Sequence, residues 1–103
     1  MSTVINVSPQ EAHGLIFQKQ VVVLDVRDNF EFNSGHIPRA INIPVSKLDS
    51  IIDNKIPNKN TPILVHCFAG SRSPIAVNIL LNHGYQNIYH LTGGINSWQY
   101  GIV

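Results

Sequence analysis

The chain has one cysteine in 103 residues. It therefore forms no internal disulfide and offers no zinc site built on paired cysteines. Charge is scarce as well. Asp, Glu, Lys and Arg make up 13%, and seven basic against six acidic side chains leave a formal +1. Such a composition fits neither a disordered tail nor a coiled coil, and it provides no basic footprint for nucleic acid. Long apolar runs are also missing. Val21-Val22-Val23-Leu24 falls far short of the roughly 20 residues that a membrane span needs. Met1-Ser2-Thr3-Val4 has neither the basic nor the apolar segment of a secretory signal. What remains, with 44% apolar residues, is the expectation of one cytoplasmic domain over 1–103, acting on neither membranes nor nucleic acid.

Strand-like and helix-like segments alternate. Val4 to Val7 reads as a short strand. Ser8-Pro9-Gln10-Glu11 then has the form of a helix start, with Ser8 as cap, Pro9 in the first turn and Glu11 completing a capping box. Val21 to Val26 is a β-branched run suited to a strand buried on both faces. Ala40 to Ile43 is a weaker strand between two prolines, and Pro62 to Cys67 a third apolar one. A helix is predicted from Ser73 to His83, ended by Gly84. Asn87 to Leu91 is a last strand, followed by Gly93-Gly94 and a short terminal helix through Trp98. The polar, proline-punctuated stretch Ile52 to Pro62 reads as a surface loop. This alternation implies an α/β fold with a parallel sheet covered on both faces.

Ligands of such sheets bind beyond the carboxyl ends of the strands. Cys67 ends an apolar strand there and enters Phe68-Ala69-Gly70-Ser71-Arg72-Ser73, a loop that opens a helix. Successive backbone N–H groups in such a loop can converge on an anion, and they would favour a thiolate, as would Arg72. Cys67 then reads as a nucleophile beside a pocket for an anionic substrate. The competing reading makes it one more buried apolar residue. A packing cysteine, however, would be followed by apolar neighbours rather than by this polar loop.

Cys67-Phe68-Ala69-Gly70-Ser71-Arg72 resembles the Cys-x-x-Gly-x-Arg active-site loop of single-domain rhodaneses. Leu24-Asp25-Val26-Arg27, with Phe32 and Gly35-His36-Ile37-Pro38-Arg39-Ala40-Ile41-Asn42-Ile43-Pro44, is similar to that family's amino-terminal signature. Leu91-Thr92-Gly93-Gly94-Ile95-Asn96-Ser97-Trp98 is similar to its carboxy-terminal one. The three blocks stand in the family's order over nearly the whole chain. The resemblance implies a five-stranded parallel sheet flanked by helices on both faces, and thiosulfate sulfurtransferase chemistry through a Cys67 persulfide, with no cofactor and no metal. The partners implied are a small-molecule sulfur donor and a thiol or cyanide acceptor, with a protein donor or acceptor as a variant. Amides from Phe68 to Ser73 would cradle the persulfide, and Arg72 would hold the donor's oxyanion. The chain departs from the pattern at Phe30, where a polar residue is usual, and at Arg39, where Gly is common; both could mark a partner surface.

Asp25, Arg27 and His36 stand as supporting residues. Asp25 and Arg27 either shape the pocket as a charge pair, with Glu31 as a possible third member, or brace the turn after their strand. His36 suits a hydrogen-bonded structural role better than that of a base, since an ionised thiolate needs none. His66 points to the opposite face of its strand from Cys67 and could steady the loop from behind. His13, His83 and His90 show no ligand spacing. Trp98 reads as a core anchor. Ser71 and Ser73 could donate to an anion, shape the loop or cap the helix.

Two other functions compete. Phosphatases and arsenate reductases of the Cys-x5-Arg type need arginine at the sixth position after cysteine, where this chain has Ser73 and carries Arg72 at the fifth. A regulatory or sulfur-relay binding module of the same fold is the other alternative. A catalytically dead one would lack the cysteine, which is present here.

Overall fold

The computed structural model describes residues 3–103, so the expectation for Met1 and Ser2 lies outside the described residues. Five strands form one parallel sheet: β1 (Thr3–Val7), β2 (Val22–Asp25), β3 (Ile41–Asn42), β4 (Ile63–His66) and β5 (Asn87–Leu91). Their order is β1-β5-β4-β2-β3. All four neighbouring pairs are parallel. The central strand β4 is buried along its whole length, as expected of a β-branched and aliphatic run with helices on both sides.

Four α-helices connect the strands: α1 (Pro9–Phe17), α2 (Asn29–Ser34), α3 (Val45–Lys55) and α4 (Ser73–Asn82). Helix α1 starts with the expected reciprocal cap. The Glu11 N–H donates to Ser8 Oγ at 3.1 Å, and the Ser8 N–H donates to Glu11 Oε1 at 2.9 Å. The terminal helix is a single 3-10 turn, Ile95–Ser97.

The sheet separates two apolar layers. Leu24, Val26, Ile63, Val65 and Cys67 face α3 and α4 through Leu48, Ile52, Ala76 and Leu80. Val23, Leu64 and Leu91 face Ala12 of α1, Ile37 and Trp98 on the other side. The period-2 alternation of strand side chains thus assigns Val65 and Cys67 to the α4 face and Leu64 to the opposite one.

The structure corrects the reading of Ile52 to Pro62 as a surface loop. Its first four residues complete α3, and both Ile52 and Ile56 are buried. Val45, Leu48 and Ile52 recur on one helical face, and burial of that face outweighs the polar residues between them. The hydroxyl of buried Tyr85 reaches the carbonyls of Ile52, which already accepts the Ile56 N–H, and of Ile56, an acceptor just past the helix end.

Candidate active site

Cys67 immediately follows β4 and is fully buried. Its Sγ accepts a hydrogen bond from the Gly70 N–H at 3.1 Å and lies 3.4 Å from Ser73 Oγ, the first residue of α4. Burial pushes the thiol pKa up. The Ser73 hydroxyl and the backbone N–H groups of Ser73, Arg72 and Gly70 outweigh that effect, and the thiol lies below its ordinary value. The loop turns back over the sulfur because Gly70 adopts φ +114°, a conformation that side chains with a Cβ disfavour. Phe68, Ala69 and Ser71 are exposed, so their side chains stand clear of the buried sulfur.

The loop is also held from behind. The carbonyl of Cys67 accepts from the Ile95 N–H at 3.0 Å, and that of Phe68 from the Asn96 N–H at 2.8 Å. A Cβ on Gly94 would lie 2.4 Å from the Phe68 oxygen and 2.7 Å from the Cys67 oxygen, so only glycine permits this approach. His66 faces away from Cys67 and donates from Nδ1 to the Cys67 carbonyl at 2.9 Å. Burial lowers the His66 pKa, more than the nearby Asp25 carboxylate raises it, and the ring is a neutral brace.

The carboxyl end of β2 lies beside this loop, with the Val26 N–H donating to the His66 carbonyl at 3.0 Å. Asp25 and Arg27 form a buried pair at 2.7 Å, and Arg27 Nη2 also donates to the Gly35 carbonyl at 2.8 Å. Asn42 Nδ2 ties the backbone carbonyls of both residues at 2.8–3.0 Å. These contacts brace the turn after β2, while Arg27 also lines a cleft of about 460 Å³ with Glu31, Phe68, Ile95, Trp98 and Ile102. Trp98 is thus both an anchor against the α1 layer and a wall of this cleft. Glu31 pairs with Arg72 rather than with Asp25 and Arg27. Arg72 Nη1 and Nη2 donate to the Glu31 carboxylate at 2.6 and 3.0 Å, and this bond holds the Glu31 pKa at about 2.

His36 sits outside the loop. Its ring stacks on Phe32 at 3.8 Å between centroids, Nδ1 meets the Phe32 carbonyl, and its backbone pairs with Val103. Ser73 does not cap α4: the N-cap is Arg72, without a side-chain capping bond, and Ser73 is the first helical residue, its hydroxyl committed instead to Cys67 Sγ and His90 Nε2. His90, which shows no ligand spacing in the sequence, lies 2.6 Å from Ser73 Oγ through Nε2. The period-2 pattern of β5, placing His90 on the face of buried Ile88, is the sequence signal that would have found it.

A family model for the rhodanese-like domain matches residues 8–100. The chain belongs to the rhodanese-like family. Thiosulfate sulfurtransferase GlpE of Tolumonas auensis is 31% identical over 100 residues, covering 97% of this chain and 92% of that protein. GlpE of Coxiella burnetii is 30% identical over 93 residues, covering 90% and 85%. Among solved structures, a rhodanese-related protein from Thermoplasma volcanium superposes with a TM-score of 0.84 at 36% identity, covering 96% of this chain and 97% of that one. The human single-domain sulfurtransferase TSTD1 superposes with a TM-score of 0.81 at 27% identity, covering 90% and 93%. Both departures from the rhodanese pattern are on the surface. Phe30 is exposed, and Arg39 takes the left-handed backbone conformation, φ +69°, at the position where glycine is common in the family.

Proposed function

We propose that this rhodanese-like protein is a sulfurtransferase that carries a sulfane sulfur on Cys67, with thiosulfate or a related anion as donor and a thiol or cyanide as acceptor. The observation that carries this reading is the environment of Cys67 Sγ, buried at a strand end, 3.1 Å from the Gly70 amide and with a lowered pKa. In the first half-reaction the thiolate attacks the outer sulfur of thiosulfate. The sulfur–sulfur bond of the donor breaks, and sulfite leaves with the bonding electron pair. In the second, the acceptor takes the outer sulfur of the persulfide and the Cys67 thiolate is regenerated. This is covalent, ping-pong catalysis.

The amides of Phe68 to Ser73 would surround the terminal sulfur, and Arg72 would face the departing sulfite. Asp25, Arg27 and His36 act at a remove, by fixing the turn and the segment that flank the loop. A protein persulfide could replace thiosulfate without changing the chemistry at Cys67. Cys67 is buried and has no cysteine partner in the chain, and a thiol kept free for catalysis suits the reducing cytoplasm.

Intact-mass measurement after incubation with thiosulfate tests the reading. One sulfur atom should be added, and cyanide or a reducing thiol should remove it. Cys67→Ser should retain the fold and lose both the adduct and turnover. Undiminished sulfur transfer by that variant would overturn the assignment.

A further inference from the structure

We propose that Ser73 and His90 form a proton relay that takes up the Cys67 proton and releases it on the flank of the sheet, away from the cleft beside Phe68. The inference deepens the sulfurtransferase reading and rests on Cys67 as its nucleophile. Three hydrogen-bonding contacts line up in one chain. Cys67 Sγ lies 3.4 Å from Ser73 Oγ, Ser73 Oγ lies 2.6 Å from His90 Nε2, and His90 Nδ1 lies 3.1 Å from Asn6 Oδ1. The fold builds the chain from three elements. Asn6 and His90 are register partners on β1 and β5, and Ser73 opens α4 above them.

The acceptor at Asn6 Oδ1 places the neutral imidazole proton on Nδ1, which leaves a lone pair on Nε2. In the thiol state Cys67 then donates to Ser73, Ser73 to His90 and His90 to Asn6. Every donor has an acceptor. When Cys67 ionises, its proton passes to Ser73 Oγ while the Ser73 proton passes to His90 Nε2. The result is a thiolate accepting from Ser73, and an imidazolium donating to Ser73 and to Asn6. One proton has moved along the chain and no electrons have changed hands.

The surroundings suit a transient acceptor. Asn6 on β1 and Ser73 on α4 are the side chains hydrogen-bonded to the ring among the described residues, and Val65 is its register neighbour on β4. Partial burial lowers the His90 pKa with no charged group contributing. The shift favours the neutral ring, whose Nε2 is then the acceptor facing Ser73 Oγ. Arg72 is the charged side chain whose field reaches Cys67 itself. His90 also lines a surface depression with Val4, Asn6, Pro74, Val77 and Asn78, none of which borders the cleft beside Phe68. A proton held on His90 can thus leave to water while a donor closes the mouth of the loop. His90 is a positioning residue in this scheme, because it reaches the sulfur only through Ser73.

The test is NMR titration of the His90 ring nitrogens in wild type, Cys67→Ala and Ser73→Ala, together with the pH dependence of Cys67 alkylation by iodoacetamide in wild type and His90→Gln. Coupled groups titrate as a pair. The wild-type ring should take up its proton in two steps, the upper one tracking Cys67 ionisation, and each alanine variant should show a single step at lower pH. The alkylation midpoint should rise by about one pH unit in His90→Gln, a roughly tenfold slower reaction below it. Identical His90 titrations with and without the Cys67 thiol would overturn the relay, as would an unshifted alkylation midpoint in His90→Gln. Neither readout requires turnover, so failure of the relay is distinguishable from failure of the sulfurtransferase assignment.

Discussion

Glu31 holds Arg72 by both terminal guanidinium nitrogens, across 41 positions of sequence, so the cation that the proposed function assigns to an anionic donor already carries an anion. The pair fixes the direction of the guanidinium, and the carboxylate offsets its charge. Under the proposed function, two opposing effects on donor binding follow from this one contact.

Removing either partner separates them. Arg72→Ala should raise the apparent KM for thiosulfate, with kcat/KM falling about 10- to 150-fold, the size of a charge-assisted hydrogen bond of roughly 1.5–3 kcal/mol. Arg72→Lys should recover only part of this, because an ammonium lacks the planar fork. Glu31→Gln should lower the KM by about fivefold at low ionic strength, and the gain should shrink as salt is added. Steady-state kinetics over a salt series check all three. A rise in KM for Glu31→Gln would show that aiming the guanidinium matters more than freeing its charge.

A second ionic cluster ties α3 to α4. His83 Nε2 meets Asp49 at 2.7 Å, and Nδ1 meets Asp53 at 3.0 Å. Hydrogen bonds to Asp49 and then Asp53 raise the His83 pKa above 6.5. A group whose pKa is raised by folding contributes stability that is complete below its unfolded value and is lost as pH rises through the folded one. The melting temperature of wild type should therefore exceed that of His83→Gln most below the ordinary histidine value of about 6.5, with the difference closing as pH rises through the raised folded value. A gap that widens with pH would contradict the charge account.

Arg39 occupies left-handed backbone space without being glycine. The strain for an L-residue there is about 1–2 kcal/mol, while glycine loses roughly 0.5–1 kcal/mol more chain entropy on folding. Arg39→Gly should gain about 0.5–1 kcal/mol net, seen as a rise of roughly 2–8 °C in thermal denaturation. A lower melting temperature would mean that the arginine side chain makes contacts worth more than its strain.

What could be read in advance was local. The Ser8–Glu11 cap, the apolar strand into Cys67, the six-residue loop to Arg72 and the strand Asn87–Leu91 each lie within a few consecutive residues, and each has a recognisable chemical form. Contacts made by topology were less legible. Glu31 meets Arg72 only because β2 and β4 are neighbours, and His90 meets Ser73 only because β5 adjoins β4. Helix α3 was obscured for another reason. It begins at Pro44 without a side-chain cap, and its last turn runs into a polar, proline-rich stretch that resembles a loop. Helix α2 has only six residues, too few for an apolar periodicity to show. The sequence Asp28-Asn29-Phe30-Glu31 does carry a start signal, seen in the Asp28 N–H donating to Glu31 Oε1 at 3.1 Å.

The approach of Gly94 to the Cys67 and Phe68 carbonyls makes the cysteine loop and the turn after β5 a single heritable unit. Each supplies what the other lacks: two acceptors on one side, and two donors with a bare Cα on the other. Drift in either segment is answerable to its counterpart. Transplanting the six loop residues alone onto another parallel sheet would deliver a cysteine without its backing, free to sag away from the Gly70 amide that its sulfur meets. A transferable version of this loop would have to comprise both segments, cut from the ends of two adjacent strands and moved together.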